Sequence, residues 1–242
     1  MIRESRPPRP ESPLARRTPA ARRRQRRANL LIFLLLFLSA LLLFWLARAG
    51  WLSAAYPRGA VCIDAGHGGD YTGAVYEGRQ EKDDTLRLAL AVRDELERRG
   101  RKVLMTRDGD ENIGLAERTE LANRYDAAAF VSLHRNSGAG TGVEVWVEHT
   151  RPEPDVRMAQ AILDNLKAVG IQADRGVKSG YRQDGSDADY AVNRDTEMPS
   201  CLVEMGFLEN EADNQLFDDH LEEYAAAIAA AVDEALSPGP AG

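Results

Sequence analysis

Four residues in this chain have the types and the placement to do chemistry together. His67 follows the short apolar run 60–65, His134 follows a second such run, 128–133, and Glu81 stands at the head of the amphipathic segment 82–99. Two histidines and one glutamate with an open fourth position form a known catalytic zinc set. Imidazole nitrogen and carboxylate oxygen suit Zn²⁺ without demanding redox protection. The fourth residue, Glu204, lies inside the apolar run 200–205, where a carboxylate costs free energy unless it is paired or neutralised. Near an activated water, such a carboxylate can accept a proton and pass it to a leaving amine. Each residue also has a plainer reading. A histidine after a strand is commonly a loop hydrogen-bonder, and an acid in a strand is commonly one half of a core ion pair. Glycines around His67 favour the metal reading, because they let the backbone bend closely around an ion or substrate. The other two histidines read as surface residues, His149 beside a polar turn and His220 at an acidic helix start.

For these residues to meet, particular elements must carry them. Residues 60–65, 102–106, 128–133, 142–148 and 200–205 read as strands. Segments 82–99, 115–125, 155–169 and 220–236 read as helices from their apolar spacing, with Gly100 and Gly170 as stops. Residues 179–189 read as an exposed loop. Strands alternating with helices imply an α/β fold, a mostly parallel sheet flanked by helices of the phosphorylase/hydrolase-like kind. In such a sheet the C-terminal strand ends share one edge, where ligands bind. That topology brings His67, His134 and Glu204 together, and a helix starting just after the first strand adds Glu81.

The chain has 242 residues, 44% of them hydrophobic, and a formal net charge of −7. The charge is unevenly spread. Residues 1–28 hold ten arginines against Glu4 and Glu11, so the rest is more acidic than the total suggests. An acidic body argues against nucleic acid as partner. The arginine-rich segment 1–28 reads as a disordered cytoplasmic tail. Residues 30–47, within a segment 29–48, form an uncharged run whose only polar member is Ser39. At about 1.5 Å per residue this run just spans a bilayer core, so one N-terminal transmembrane helix is predicted. Trp45 and Trp51 suit the outer interface, and the arginines keep the N-terminus inside. The catalytic body is then extracytoplasmic at the cell membrane. The alternative is secretion after signal-peptide cleavage at the small-x-small triplet 47–49. Residues 49–59 read as a linker, 60–237 as one catalytic domain and 238–242 as a tail, in a monomer. Cys62 and Cys201 both sit in apolar runs and read as buried free thiols, with a disulfide as the alternative in an oxidising compartment.

Seven segments, in order, give the body a resemblance. They are VCIDAGHGG (61–69), EKDDTLRLA (81–89), VLMTRDGD (103–110), LAERTELAN (115–123), FVSLHRN (130–136), DRGVK (174–178) and MPSCLVEMGFLEN (198–210). Together they resemble the zinc-dependent N-acetylmuramoyl-L-alanine amidases with an AmiC-like catalytic domain, over nearly all of residues 60–236. The resemblance implies one Zn²⁺ per chain held by His67, Glu81 and His134, with Glu204 as the catalytic glutamate. It implies Asn136 and Arg194 at the rim as substrate-binding residues and peptidoglycan as the partner. The reaction implied is hydrolysis of the amide between N-acetylmuramoyl residues and L-alanine of the stem peptide. A different zinc peptidase acting on stem peptides, or an inactive peptidoglycan-binding module, are the alternatives. Arg135 replaces a small residue common in the family and is expected to alter the groove. The 179–189 loop reads as longer than usual, and no long helical insert that would plug the site is read between 148 and 204. The size and layout are similar to those of membrane-anchored spore-cortex members.

Overall fold

The computed structural model describes residues 19–48, 58–150, 152–180 and 189–237. The expectations for the start of the basic tail, for most of the linker with Trp51, for the centre of the 179–189 loop and for the tail from 238 fall outside the described residues. The chain divides into two compact units, Met1–Ala55 and Tyr56–Gly242.

In the first unit, helix α1 (Pro19–Arg48) runs through the apolar segment. Its side chains from Leu30 to Leu42 are exposed, and those of 43–48, Trp45 included, lie outside the described ones. Among the described residues no helix is long and apolar enough to cross a membrane.

The second unit is built on a six-stranded sheet. In chain order the strands are β1 (Val61–Ala65), then β2 (Val75–Tyr76) and β3 (Arg79–Gln80) as a separate hairpin, β4 (Val103–Met105), β5 (Ala129–Asn136), β6 (Val143–Val147), β7 (Asp174–Ser179) and β8 (Ser200–Phe207). The sheet order is β4-β1-β5-β8-β6-β7. The first four of these are mutually parallel, while β6 is antiparallel to β8 and β7 is parallel to β6. The fold is thus mixed α/β, with a mostly parallel sheet flanked by helices.

The helices are α2 (Glu81–Arg98), α3 (Leu115–Arg124), α4 (Glu153–Val169), α5 (Ala191–Arg194), α6 (Glu211–Asp219) and α7 (Leu221–Leu236). Because alternate strand residues point to opposite faces, the sheet has two cores. Ile63, Val131, Leu133, Val145 and Val203 pack with residues of α2, α4 and α7. Cys62, Phe130, Trp146 and Leu202 pack on the other face with Ala122 of α3 and Val192 of α5. The two free cysteines consequently point to opposite faces, Cys201 belonging to the first core and Cys62 to the second. Burial pushes both thiols above their ordinary range.

Candidate metal centre

The turn that carries His67 is set by charge buried beneath it. Asp64, 1% exposed, accepts hydrogen bonds from Arg118, Thr106 and Ser132, each at 2.6 Å. Burial raises the Asp64 pKa, but the Arg118 charge and these donors outweigh it and hold the carboxyl below its usual range. Arg118 also donates to the His67 carbonyl at 2.6 Å, while Arg107 and Thr85 donate to that of Gly66 at 2.9 and 2.8 Å. His67 is held in the left-handed region, at φ 59°, a conformation non-glycine residues seldom adopt. Gly66 is required for a different reason: a Cβ there would lie 2.4 Å from the His134 ring.

Glu81 arrives through the small hairpin. Glu77 and Gly78, at φ 48° and 86°, make the tight turn between β2 and β3, and α2 starts at once after β3. The first turn of a helix favours an anion, and Glu81 occupies it, 4% exposed. Its Oε2 accepts from the Ala74 backbone N–H at 2.9 Å and its Oε1 from that of Arg135 at 3.1 Å. Gly73, at φ 66°, makes room: a Cβ there would come within 2.4 Å of Glu81 Oε2 and 2.7 Å of the His67 ring.

His134, on β5, completes the set. Its Nδ1 lies 2.8 Å from Glu81 Oε1, and His67 Nε2 lies 3.1 Å from the same oxygen. The two rings meet edge to face at a centroid distance of 4.9 Å. One donor atom from each residue lies within 4.8 Å of the others. Burial raises the Glu81 pKa, yet the histidines overcome that and hold it far below the carboxylate range. For His134, burial lowers the pKa, and Glu81, Glu204 and Asp64 raise it overall. Donor atoms converging at a point of negative potential fit a divalent cation, and two nitrogens with one oxygen are a donor set suited to zinc.

Glu204, on β8, is in register with His134 and is 6% exposed. With His67, Glu81, Leu115, His134 and Tyr190 it lines a groove of about 410 Å³. Across β8 its partner in register is Glu144 of β6. Glu144 is buried, and burial raises its pKa, but Lys178, Arg175 and Trp146 bring it down to about 2.

The other expected site residues are placed differently. Asn136 is buried and donates to Glu144 Oε1 at 2.9 Å. Arg194 is not brought to the centre: its guanidinium lies against Asp195, at 2.8 Å, while Tyr190, Ala191 and Val192 of the same segment line the groove. Arg135 is among the residues that line the groove, but its side chain is buried away from it. Strand alternation turns its side chain to the face opposite His134, where it meets Asp84 at 2.5 Å and Asn214 at 2.6 Å and stacks on Phe217. Of the two remaining histidines, His149 is exposed, as expected of a surface residue, and has a partner. With Glu148 and Asp189 it forms a second group of closely spaced donors. There Asp189 accepts from the His149 backbone at 2.6 Å and lies 2.5 Å from its ring, pinning the end of β6 to the approach to α5. His220 stands at the N-terminus of α7.

The sequence reading passed over Asp64, Arg107, Arg118 and Glu144. Glu144 carried the same signal as Glu204, an acid alternating with valines in VEVWV. Asp64 carried it in VCIDA.

A mixed α/β sheet with a cation-ready donor set at its strand ends is the architecture of many hydrolases. The chain belongs to the N-acetylmuramoyl-L-alanine amidase family Amidase_3, whose model matches residues 61–236. It is 37% identical to the N-acetylmuramoyl-L-alanine amidase CwlM of Bacillus licheniformis over 155 residues, which is 63% of this chain and 58% of that protein. Identity and coverage are the same for the sporulation-specific N-acetylmuramoyl-L-alanine amidase of Bacillus subtilis (strain 168). The match thus spans less than two thirds of the length of these relatives. Among solved structures, the N-acetylmuramoyl-L-alanine amidase from Clostridium difficile 630 superposes with a TM-score of 0.68 at 28% identity, over 76% of this chain and 99% of that one.

Proposed function

We propose that the chain is a zinc-dependent N-acetylmuramoyl-L-alanine amidase that hydrolyses the amide between the lactyl group of N-acetylmuramic acid and L-alanine of the stem peptide. The observation that carries this reading is the convergence of His67, Glu81 and His134 within 4.8 Å, beside Glu204 in register with His134. His67, Glu81 and His134 would hold the ion. When bound, zinc would supply Lewis-acid polarisation of the scissile carbonyl and a lowered pKa for water at the site. Glu204 takes the proton of the attacking water on its carboxylate as hydroxide adds to the carbonyl carbon. It then gives that proton to the amine nitrogen as the carbon–nitrogen bond breaks. Leu115, Tyr190 and Val192 give the groove an apolar wall on which substrate can lie while water is displaced.

The catalytic domain takes residues 60–237 in this reading. It is held at the outer side of the cytoplasmic membrane by residues 29–48, with the arginine-rich tail inside. What supports the anchor is the sequence: an uncharged run of eighteen residues behind ten arginines. Anchoring keeps the enzyme beside its polymer and raises the effective concentration.

Mass spectrometry of purified peptidoglycan after digestion tests the reaction and substrate together. Free stem peptides with an L-alanine N-terminus are expected. Products cut inside the stem peptide would point to a peptidase, and an unchanged polymer to a binding module.

A further inference from the structure

The row of residues that crosses the sheet at the metal centre continues beyond Glu204. His134 on β5 is in register with Glu204 on β8, and Glu204 with Glu144 on β6. Residues in register on adjacent strands project to the same face. The next strand, β7, is the last of the sheet, and its Lys178 stands opposite Trp146, on the same face of β6 as Glu144. The Glu144 carboxylate is 1% exposed and receives four donors. Asn136 and Trp146 donate to Oε1 at 2.9 and 3.1 Å, and Arg175 and Lys178 both donate to Oε2 at 2.6 Å.

One cation would neutralise this carboxylate, so the second leaves a unit of positive charge in an otherwise acidic protein. The two cations are not enclosed with it: the Arg175 and Lys178 side chains are 35% and 33% exposed. Arg175 engages Glu144 through Nε, and its terminal guanidinium nitrogens are the pair that suits a carboxylate. Both heads rest over aromatic rings, Arg175 over Phe207 at 4.9 Å and Lys178 over Trp146 at 5.4 Å. Trp146 meets Tyr190 edge-on at 5.6 Å, and Tyr190 lines the groove. A chain of contacts, from Tyr190 to Trp146 to Lys178, thus links the groove that Glu204 lines to the cationic pair.

We infer that Arg175 and Lys178 form a carboxylate-binding subsite for the peptide half of the substrate, beyond Glu204 toward β7. The inference rests on the amidase reading, in which the two halves of the substrate differ in charge. The N-acetylated sugars are largely neutral, whereas the stem peptide carries free carboxylates. From β8 to β7 is two strand spacings, about 10 Å. An extended peptide advances about 3.3 Å per residue, so the carboxylate in reach belongs to the first few residues of the leaving peptide.

The test uses the full-length, zinc-loaded chain in detergent and two soluble muramoyl-peptides, identical except that the peptide carboxylates are free in one and converted to carboxamides in the other. The wild type is expected to show a KM at least tenfold lower for the free acid, with kcat similar for both, and the preference should shrink as salt is raised. Lys178→Met and Arg175→Gln should each raise KM for the acid alone and bring the ratio toward one, while Lys178→Arg should keep it. The ratio is taken on a single preparation, so a reduced folded fraction does not alter it. A wild type that treats both substrates alike overturns the subsite, as do variants that lose activity equally on both. If a variant does not fold, the salt dependence of the wild-type preference decides, and a preference unmoved by salt overturns the subsite. Cleavage of neither peptide by the wild type overturns the amidase reading itself and the subsite with it.

Discussion

Glu204 and Glu144 face each other across two strands, yet their surroundings assign them different work. Glu144 is met by two cations and two neutral donors and held at about 2. Such a group stays ionised near neutrality and is a poor proton acceptor. Glu204 lines the groove beside the donor triad. Glu204→Gln is therefore expected to keep zinc and melting temperature and to lower turnover by roughly 10²–10⁴-fold, the usual share of general acid–base catalysis. Zinc content, melting temperature and turnover, all measured on one preparation, separate three roles. A core ion-pair member would lose stability but keep its activity per folded molecule, and a ligand would lose zinc. Full activity in the zinc-loaded variant would end the proposed mechanism. The ligands have a test of their own. Metal analysis of the full-length chain should give close to one zinc, and His67→Ala or His134→Ala should lower it severalfold. Zinc content equal to wild type in both variants would remove the triad from metal binding.

Elements matter here chiefly through what fixes their ends. The β1 turn rests on the buried Arg118–Asp64 pair, whose side chains are 4% and 1% exposed. Removing one partner leaves a buried charge uncompensated, so Arg118→Met is expected to cost about 3–5 kcal/mol in denaturant unfolding. A loss below about 1 kcal/mol, the range of exposed pairs, would show that the pair does not hold the turn. At the start of α4, Asp155 is 6% exposed, and burial, with the charge of Glu148, raises its pKa to about 6. The native state thus keeps this proton to higher pH than the unfolded chain, where an aspartate titrates near about 3.9. The contribution of the protonated carboxyl is fully present below the unfolded value and is lost as pH rises through about 6. Asp155→Asn should therefore gain stability over the wild type between about pH 4 and pH 6 and hold a gain of roughly 1–3 kcal/mol at pH 7. Denaturant unfolding of both proteins across that range reads the difference, and a flat difference would contradict it. The same elements show what could be read from sequence. Strands β1, β5 and β8 and helices α2, α4 and α7 announce themselves by apolar runs or helical spacing. The two-residue strands β2 and β3 and the four-residue α5 are too short for any period to show, and β7, DRGVKS, is polar because it is an edge. The direction of β6 is legible from its connection. Residues 137–142 alone separate it from β5, too few for the crossover a parallel return requires. His67, Glu81, His134 and Glu204 were legible because each interrupts or ends a pattern. Asn136 and Arg135 were harder, because neighbours on one strand part to opposite faces and only the structure shows what each one meets there.

At the scale of the whole molecule, the proposed anchoring asks how an acidic protein would be held at a surface. Its formal charge is −7 even with the ten N-terminal arginines counted, so the body has no electrostatic attraction to anionic lipid. In the proposed reading, attachment would come from residues 29–48. The uncharged run 30–47 has eighteen residues, about 27 Å of helix at about 1.5 Å per residue, against a hydrocarbon core of about 30 Å. A retained helix of this kind and a cleaved signal predict different fractionation. If the helix is retained, washing membranes with concentrated salt should release almost none of the protein, because salt screens charge and does not extract an apolar segment, whereas detergent should release it intact. Protease added to cells whose membrane is exposed should remove the catalytic domain and leave the arginine-rich segment protected inside, by the positive-inside rule. Epitopes placed at the two ends of the chain report both fragments in one experiment. Full-length protein in the soluble fraction of broken cells would eliminate the anchor. A shorter soluble protein beginning near Gly50 would show that the apolar run had served as a signal and been cleaved.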